Sequence, residues 1–550
     1  MNTQATFFTS FSFLFFYLPL YLLHLVHGHA DYAPLVSIPS LRSTGISAKQ
    51  RQRQQQIHSL FDEKVLNIQP EMIEASSNLH VDLIVGTSRF TNSFVSMNTR
   101  TYNGMMSAPT LRLLPGETFT IRISNTLEPG FSNWTNLHTH GLQVAQTGMA
   151  DNVLVEVQPG EIRTYQITLP EDHPSGTFWY HPHHHGAVNL QVTGMMAGAL
   201  IVEDRDAPTA LANMDELVLL LQAVCFEGCG NKWDNLEHAL MNTYGKPEEG
   251  DRQLDVDLVY DTENLPLHDA SKLHVMINGQ YQPIVTLQPE ELKRYRYINA
   301  LANNFVELVV PGCEMYVLAK DGMYRKAPTL VTVLILPPGG RADVALRCHQ
   351  VGTYQLGIDR SHFRDATIGP QREHRADSQT IATINVTGDF RSMELPTELP
   401  STTLDLTNVA NVPSPQQYEY EMSTWMERGV MKFGVNHRVF DRKFISNYTI
   451  PIHEIQEWHL TASNCMGSCS AMNHPFHIHN THFQIVDVAG EMKDNDDLYE
   501  VGEWRDTIPL LHDGLTIRFL PTMEGPMLTH CHVVAHADEG MSMLFHVVKE

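Results

Sequence analysis

A chain of 550 residues is several times longer than one hydrophobic core supports, and at about 150 residues per domain it predicts three or four domains. Apolar residues make up 42% and charged residues 18%, and the 34 glycines and 30 prolines show no repeat, which excludes disordered, collagen-like and low-complexity classes. A net charge of -25, with no basic patch to offset it, excludes a nucleic-acid partner because such a surface repels phosphate backbones.

Residues 7–26 are almost entirely apolar, interrupted by Pro19, and Gly28-His29-Ala30 has the small-x-small form of a signal-peptidase site. Residues 1–30 are therefore expected to be a signal peptide, and the protein to be secreted. The segment before the apolar run lacks Lys and Arg, and the run is long. The alternative is thus an uncleaved segment that anchors the chain at the cell surface, the one form of membrane attachment the sequence suggests. Residues 31–78 read as a polar tail or propeptide, rich in Gln and Arg at Lys49-Gln50-Arg51-Gln52-Arg53-Gln54, with a short helix over residues 57–65.

From Leu79 the texture changes. Val81-Asp82-Leu83-Ile84-Val85, residues 118–123 and residues 163–169 are short, β-branched or alternating runs between Gly, Pro and Asn turns, which predicts strands. The texture recurs at residues 273–277, 285–287, 294–298, 331–336 and 342–346. A third set runs from Thr449 through Trp458-His459-Leu460, residues 483–486, 515–519 and 543–548. Linker-like stretches at Glu203-Asp204-Arg205-Asp206-Ala207-Pro208 and residues 394–400 divide three similar β domains, expected over 79–205, 206–390 and 391–550. Many short strands with frequent turns argue for β-sandwiches or barrels.

Cysteine usage agrees with export. Of seven cysteines, Cys531 sits inside a histidine motif. Cys225 and Cys229 are close together, as are Cys465 and Cys469, while Cys313 and Cys348 lie further apart, and their pairing stays open. Asn133, Asn385 and Asn447 begin glycosylation sequons, used only in a eukaryotic secretory route.

The 30 histidines are the compositional anomaly, and they cluster. The clusters are His138-Thr139-His140-Gly141, His181-Pro182-His183-His184-His185-Gly186, His474-Pro475-Phe476-His477-Ile478-His479 and His530-Cys531-His532, the last running on to His536 and Met541. Each holds a His-x-His pair, and on an extended strand residues two apart face one side, so each pair offers two imidazoles to one place. Eight imidazoles are expected to converge between the two terminal domains. Cys531, between two of them, points its thiolate the other way. With His474, His536 and a weak thioether from Met541 it makes a blue-copper site. Zinc is the runner-up metal, but zinc does not normally take a methionine.

The four clusters resemble the copper-binding motifs of the multicopper oxidases (laccases, ferroxidases and cuprous oxidases), in order and at either end of the chain. Thr101-Tyr102-Asn103-Gly104, Pro109-Thr110-Leu111-Arg112, residues 194–202, Ile277-Asn278-Gly279-Gln280 and Trp504-Arg505-Asp506-Thr507 also match family phrases, so the likeness runs from about Leu79 to the C-terminus. It implies an all-β fold of three consecutive cupredoxin-like Greek-key sandwiches or barrels, and four copper ions: one type 1, one type 2 and two type 3. Position by position, it makes His474, Cys531 and His536 the type 1 ligands with Met541 axial, and gives the type 2 ion His138 and His477. His140, His181, His183, His479, His530 and His532 then hold the type 3 pair, while His184 and His185 are second-layer or surface groups.

The implied activity is one-electron oxidation of a small reducing substrate, either a phenol or aromatic amine or a ferrous or cuprous ion. It is coupled to four-electron reduction of dioxygen to water. In that scheme Cys531 passes each electron through its backbone to His530 or His532, and Asp151 matches an acidic position near the type 2 site that serves proton transfer. One departure stands out: Ala537 and Val534 occupy positions where members of the family often carry a glutamate, and Asp538 and Glu539 are the nearest acids in sequence. The substrate stays open. Met466 and Met472, in the stretch leading to His474, suit cuprous ions or plain packing, and the acidic run at residues 493–497 suits a cation or a solvated loop. The alternative from another class is a copper-binding or copper-homeostasis protein without significant oxidase turnover.

Overall fold

A computed structural model describes residues 71–549 apart from 77, 92–94, 206, 226–257, 261–272, 362–373, 401–403, 409–413, 444, 465–473, 491–497 and 511–513. The expected signal peptide, the helix over 57–65, nearly all of the tail, Cys229, Cys465, Cys469, Met466, Met472 and the acidic run at 493–497 lie outside the described residues. Among the described residues no helix is long and apolar enough to cross a membrane.

The all-β expectation holds. The described residues form six sheets, packed in pairs around three hydrophobic cores. Alternation drives this: in Thr118–Asn125, Phe119, Ile121 and Ile123 are buried while Arg122 is exposed. Each such fully buried Ile or Phe contributes about 1.5–3 kcal/mol.

One construction opens all three sandwiches. His80–Thr91 lies between its antiparallel hairpin partner Val95–Tyr102 and the parallel strand Thr118–Asn125. Glu216–Cys225 likewise lies between Leu273–Ile277 and Lys293–Asn299, and Gln416–Glu427 between Val430–Val435 and Gln456–Asn464. Each strand beside the opening one ends in a tight turn with two successive positive φ angles, at Asn103-Gly104 (55° and 71°), Asn278-Gly279 (51° and 75°) and Asn436-His437 (49° and 55°). Asparagine and glycine tolerate that conformation, which matches the twist of paired strands. The asparagine also returns a bond to the opening strand: its Oδ1 accepts from Ile84 N–H at 2.7 Å, Leu220 N–H at 2.8 Å and Glu421 N–H at 2.7 Å.

The structure departs from the sequence reading in three places. Met72–Ile73, assigned to the tail, pairs in parallel with Thr110 and Leu111 of the first sandwich. Leu258–Tyr260, assigned to the middle domain, adds to the edge of a first-domain sheet beside Val95–Met97. The expected strand over 331–336 is two: Met323–Val331 ends in one sheet of the middle sandwich and Leu334–Leu336 begins in the other. An apolar run looks the same whether it continues along one sheet or crosses to the next.

Cys313 and Cys348 face each other across adjacent antiparallel strands and are joined by a disulfide. Of the three sequons, Asn385 and Asn447 are exposed. Asn133 is buried, with its Oδ1 accepting from Arg100 Nε at 2.8 Å and its amide donating to Glu128 O at 2.9 Å, so the folded chain closes that site to glycosylation. The disulfide gives a prediction. Cys313→Ser with Cys348→Ser should lower stability by about 2–5 kcal/mol, read as an earlier denaturant midpoint at unchanged slope. An unmoved midpoint would show that the bond contributes nothing beyond the strand pairing it sits on.

Candidate metal centres

Strand pairing alone brings the histidine motifs together in twos. In the first sandwich His138–His140 runs antiparallel to Gly176–His181, with His138 opposite His181. In the third, His474–Ile478 runs antiparallel to Gly525–Cys531, with His477 opposite His530 and Phe476 opposite Cys531. Only His138 and His140 are a same-face pair within one strand. The strands holding His181, His477 and His530 stop inside their motifs, so His183, His479 and His532 are brought in by the turn that follows rather than by strand periodicity.

Four buried groups result, each with ligand atoms within 4.8 Å of one another: His138, His140 and His477; His140, His181 and His532; His183, His479 and His530; and His474, Cys531 and His536. The first three groups join four imidazoles of the first sandwich to four of the third. Nitrogens face nitrogens, across this junction from His183 Nε2 to His530 Nε2 at 3.1 Å and from His532 Nε2 to His140 Nδ1 at 3.3 Å, and within the third sandwich from His479 Nε2 to His530 Nε2 at 3.2 Å. The buried Nε2 atoms of His138, His181 and His477 have no hydrogen-bond partner at all. Lone pairs gathered so closely, with nothing to accept them, are what a metal cluster requires of its ligands.

In the fourth group Cys531 Sγ lies 3.6 Å from His474 Nδ1 and 3.8 Å from His536 Nδ1. Met541 is buried in the same core, and its carbonyl accepts the Cys531 N–H at 3.0 Å. One soft thiolate donor, two imidazoles and a neighbouring thioether suit copper. The backbone of Cys531 ties this group to the other three, since His530 and His532 flank it and His530 Nδ1–H donates to Cys531 O at 2.9 Å.

Sequence profiles described as multicopper oxidase match residues 87–207, 253–385 and 408–550. The chain belongs to the multicopper oxidases. It is 24% identical over 460 residues to a multicopper oxidase of Staphylococcus haemolyticus, covering 83% of this chain and 85% of that one. It is 22% identical over 507 residues to laccase-5 of Trametes villosa, covering 84% and 88%. Its fold is similar to that of a Campylobacter jejuni multicopper oxidase described as a metallo-oxidase, with a TM-score of 0.63 and 23% identity, covering 88% of this chain and 96% of the other. The sandwiches are cupredoxin-like, and the oxidase uses type 1, type 2 and type 3 copper.

Two carboxylates back the imidazoles of this oxidase. Asp151 Oδ2 accepts from His138 Nδ1–H at 2.9 Å and its Oδ1 accepts from Thr139 N–H at 3.0 Å, which leaves His138 Nε2 directed at the cluster. Burial pushes the Asp151 carboxyl up to about 7, against the lowering effect of Thr139. Asp506, quoted in a family phrase but given no role by sequence reasoning, touches both His140 and His477. Burial works to raise its carboxyl, but the Arg341 guanidinium holds it well below the ordinary carboxylate range. His374 also escaped the sequence reading: it is buried beside the fourth group, its ring 5.1 Å from that of His536, and nothing in its local sequence marks it.

The other residues singled out lie apart from the four groups. His184 is buried, not on the surface, with Nε2 3.7 Å from Glu156 Oε1, and His185 packs against Phe440. Asp538 accepts from Gly186 N–H at 2.7 Å and Asn189 N–H at 2.8 Å, tying the start of the short helix Val188–Thr193 to the third sandwich. Glu539 is exposed.

Burial, with neighbouring imidazoles adding to it, pushes His181 and His474 down to about 3 and holds His138, His140, His183, His479, His530, His532 and His536 well below the usual histidine range. All are therefore neutral imidazoles at neutral pH, the form in which histidine can bind a metal. An unfolded chain takes up protons on these histidines below about pH 6.5 while the folded one does not, so acid disfavours folding. Asp151 and Asp538, both raised to about 7 by burial, act in the opposite direction, but they are two against nine. The copper-free oxidase should thus lose thermal stability steadily from pH 7 to pH 5, and a melting temperature that rose over that interval would contradict the neutral, buried state of the imidazoles.

Proposed function

We propose that His474, Cys531 and His536, with Met541 axial, hold the type 1 copper and that His138 and His477 hold the type 2 copper. His140, His181 and His532 hold one type 3 ion, and His183, His479 and His530 the other. The observation that carries this reading is the convergence of eight buried imidazoles from two sandwiches on one volume, joined to the thiol group through Cys531. Copper bound in these groups supplies the one-electron steps and the reduction of dioxygen to water.

The chain's own residues do the rest. Cys531, His474 and His536 are wholly buried, which keeps water from the sulfur. The covalent run from Cys531 into His530 and His532, with the His530-to-Cys531 carbonyl bond alongside, is the electron route between the groups. Asp151 takes up and returns a proton at Oδ2, beside His138, where burial keeps its affinity near neutral pH. The reductant is a small one-electron donor, either a phenol or aromatic amine or a ferrous or cuprous ion. Steady-state oxygen uptake with a diphenol, ferrous ion and cuprous ion side by side separates the classes. Export is supported by the Cys313–Cys348 bond, since such bonds persist in oxidising compartments.

Cys531→Ser should abolish the blue absorption and oxygen uptake while the fold is kept, because a hydroxyl does not replace the thiolate. A purified variant that stays intensely blue would refute the type 1 assignment. Asp151→Asn keeps the shape but not the titrating proton. Stopped-flow absorbance at the blue band should show near-normal reduction by substrate, and reoxidation by dioxygen slowed about 100-fold or more. Reoxidation at the normal rate would return Asp151 to a purely structural part.

A further inference from the structure

The middle sandwich contributes no residue to the four groups, yet two of its positions reach the imidazoles. At Gly339, with φ +81°, an added Cβ would stand 2.6 Å from the His532 ring. Two residues on, Arg341 is wholly buried and grips Asp506 of the third sandwich at two points, Nη1 to Oδ1 at 2.7 Å and Nη2 to Oδ2 at 2.5 Å. Asp506 Oδ1 also accepts from His140 Nε2–H of the first sandwich at 3.2 Å and from the Thr507 hydroxyl at 2.7 Å. The Asp506 carbonyl accepts from His477 Nδ1–H at 2.9 Å. One residue therefore holds an imidazole from each terminal sandwich, and the middle sandwich holds that residue.

The bond to His140 has a chemical consequence. An ionised carboxylate only accepts, so the His140 proton sits on Nε2 and the lone pair on Nδ1, which is the atom 3.3 Å from His532 Nε2. Its neighbours are set the other way. His138, His181 and His530 give their Nδ1 protons to Asp151, Pro182 O and Cys531 O, which frees Nε2 in each. Gly141 shows how tightly the clamp is built: with φ +89°, an added Cβ there would lie 2.5 Å from Arg341 Nη2 and 2.7 Å from Asp506 Oδ2. No other residue fits between His140 and the ion pair.

We propose that Asp506, clamped by Arg341, is a positioning residue that fixes His140 in the tautomer presenting Nδ1, and that the middle sandwich is thereby a required part of the cluster site although it binds no copper. This rests on the ligand assignment above. The test is copper titration of the copper-free protein with electron paramagnetic resonance and optical spectra, for wild type, Asp506→Asn and Arg341→Lys. Asp506→Asn turns an amide donor toward Arg341 and loosens the clamp. It should keep the type 1 blue absorption, lower cluster copper affinity about 10–100-fold and alter the type 2 resonance. Arg341→Lys, which keeps the charge but not the paired grip, should do the same more weakly. A merely structural role would lower the melting temperature of the copper-free protein and leave affinity and resonance unchanged in the folded fraction. That result in Asp506→Asn, or in Arg341→Lys where the first variant does not fold, overturns the proposal. A wild-type protein that takes up only the type 1 ion would overturn the ligand assignment instead.

Discussion

Imidazoles that bind a cluster must be buried, neutral and crowded, and nothing in such a set attracts its members to one another. Four come from the first sandwich and four from the third, so the site exists only while those two bodies are held in register. The contact that meets this demand is the wholly buried pair between Arg341 and Asp506. It is rooted in the middle sandwich, borne by the third, and ends on an imidazole of the first. A lone charge in such a place would be costly, whereas two charges in paired geometry with every oxygen occupied satisfy one another.

Around that pair the polar groups form a connected set. Asp321 accepts from Arg505 Nε at 2.6 Å, its carbonyl accepts from His482 Nε2–H at 2.9 Å, and Gln143 reaches His482 Nδ1 at 2.9 Å. Residues of all three sandwiches are thereby fixed within a few bonds of the cluster. A network of this kind fixes geometry rather than adding net stability, which is what a site with eight mutually repelling lone pairs needs.

The thiol group is built by a different rule. It lies inside the core of the third sandwich, among Phe476, Val533 and Met543, and its donors come from three neighbouring segments of one domain. A buried thiol with no cation beside it keeps its proton, and burial holds Cys531 well above the usual range, so a metal bound there would have to displace that proton. Along the strand that ends at Cys531 the side chains alternate, so the sulfur serves the core and His530 the junction, and the turn that follows brings His532 to the junction as well.

Much of this was legible in the residues alone. The His-x-His spacing, the cysteine between two histidines and the alternating strands are local patterns, governed by interactions between positions a few residues apart. The four groups are made of eleven residues, all among the twelve metal-ligand candidates legible in the sequence, and Met541, the twelfth, is buried in the same core as Cys531. The repeated turn showed itself in two copies as Asn103-Gly104 and Asn278-Gly279, but His437 hid the third. What tertiary structure alone decided is the support. Asp506 is one of 62 acidic residues, and its partners lie 165 positions away at Arg341 and 366 away at His140. Which nitrogen of His140 carries the proton and that Asp538 faces the Val188–Thr193 helix depend on how separate sandwiches dock, while Asn133 is tied down by Arg100 and Glu128, 33 and 5 positions away in its own sandwich. Charge pairing across such distances leaves no periodicity in the chain, because a carboxylate selects its partner by position in space and not by spacing in sequence.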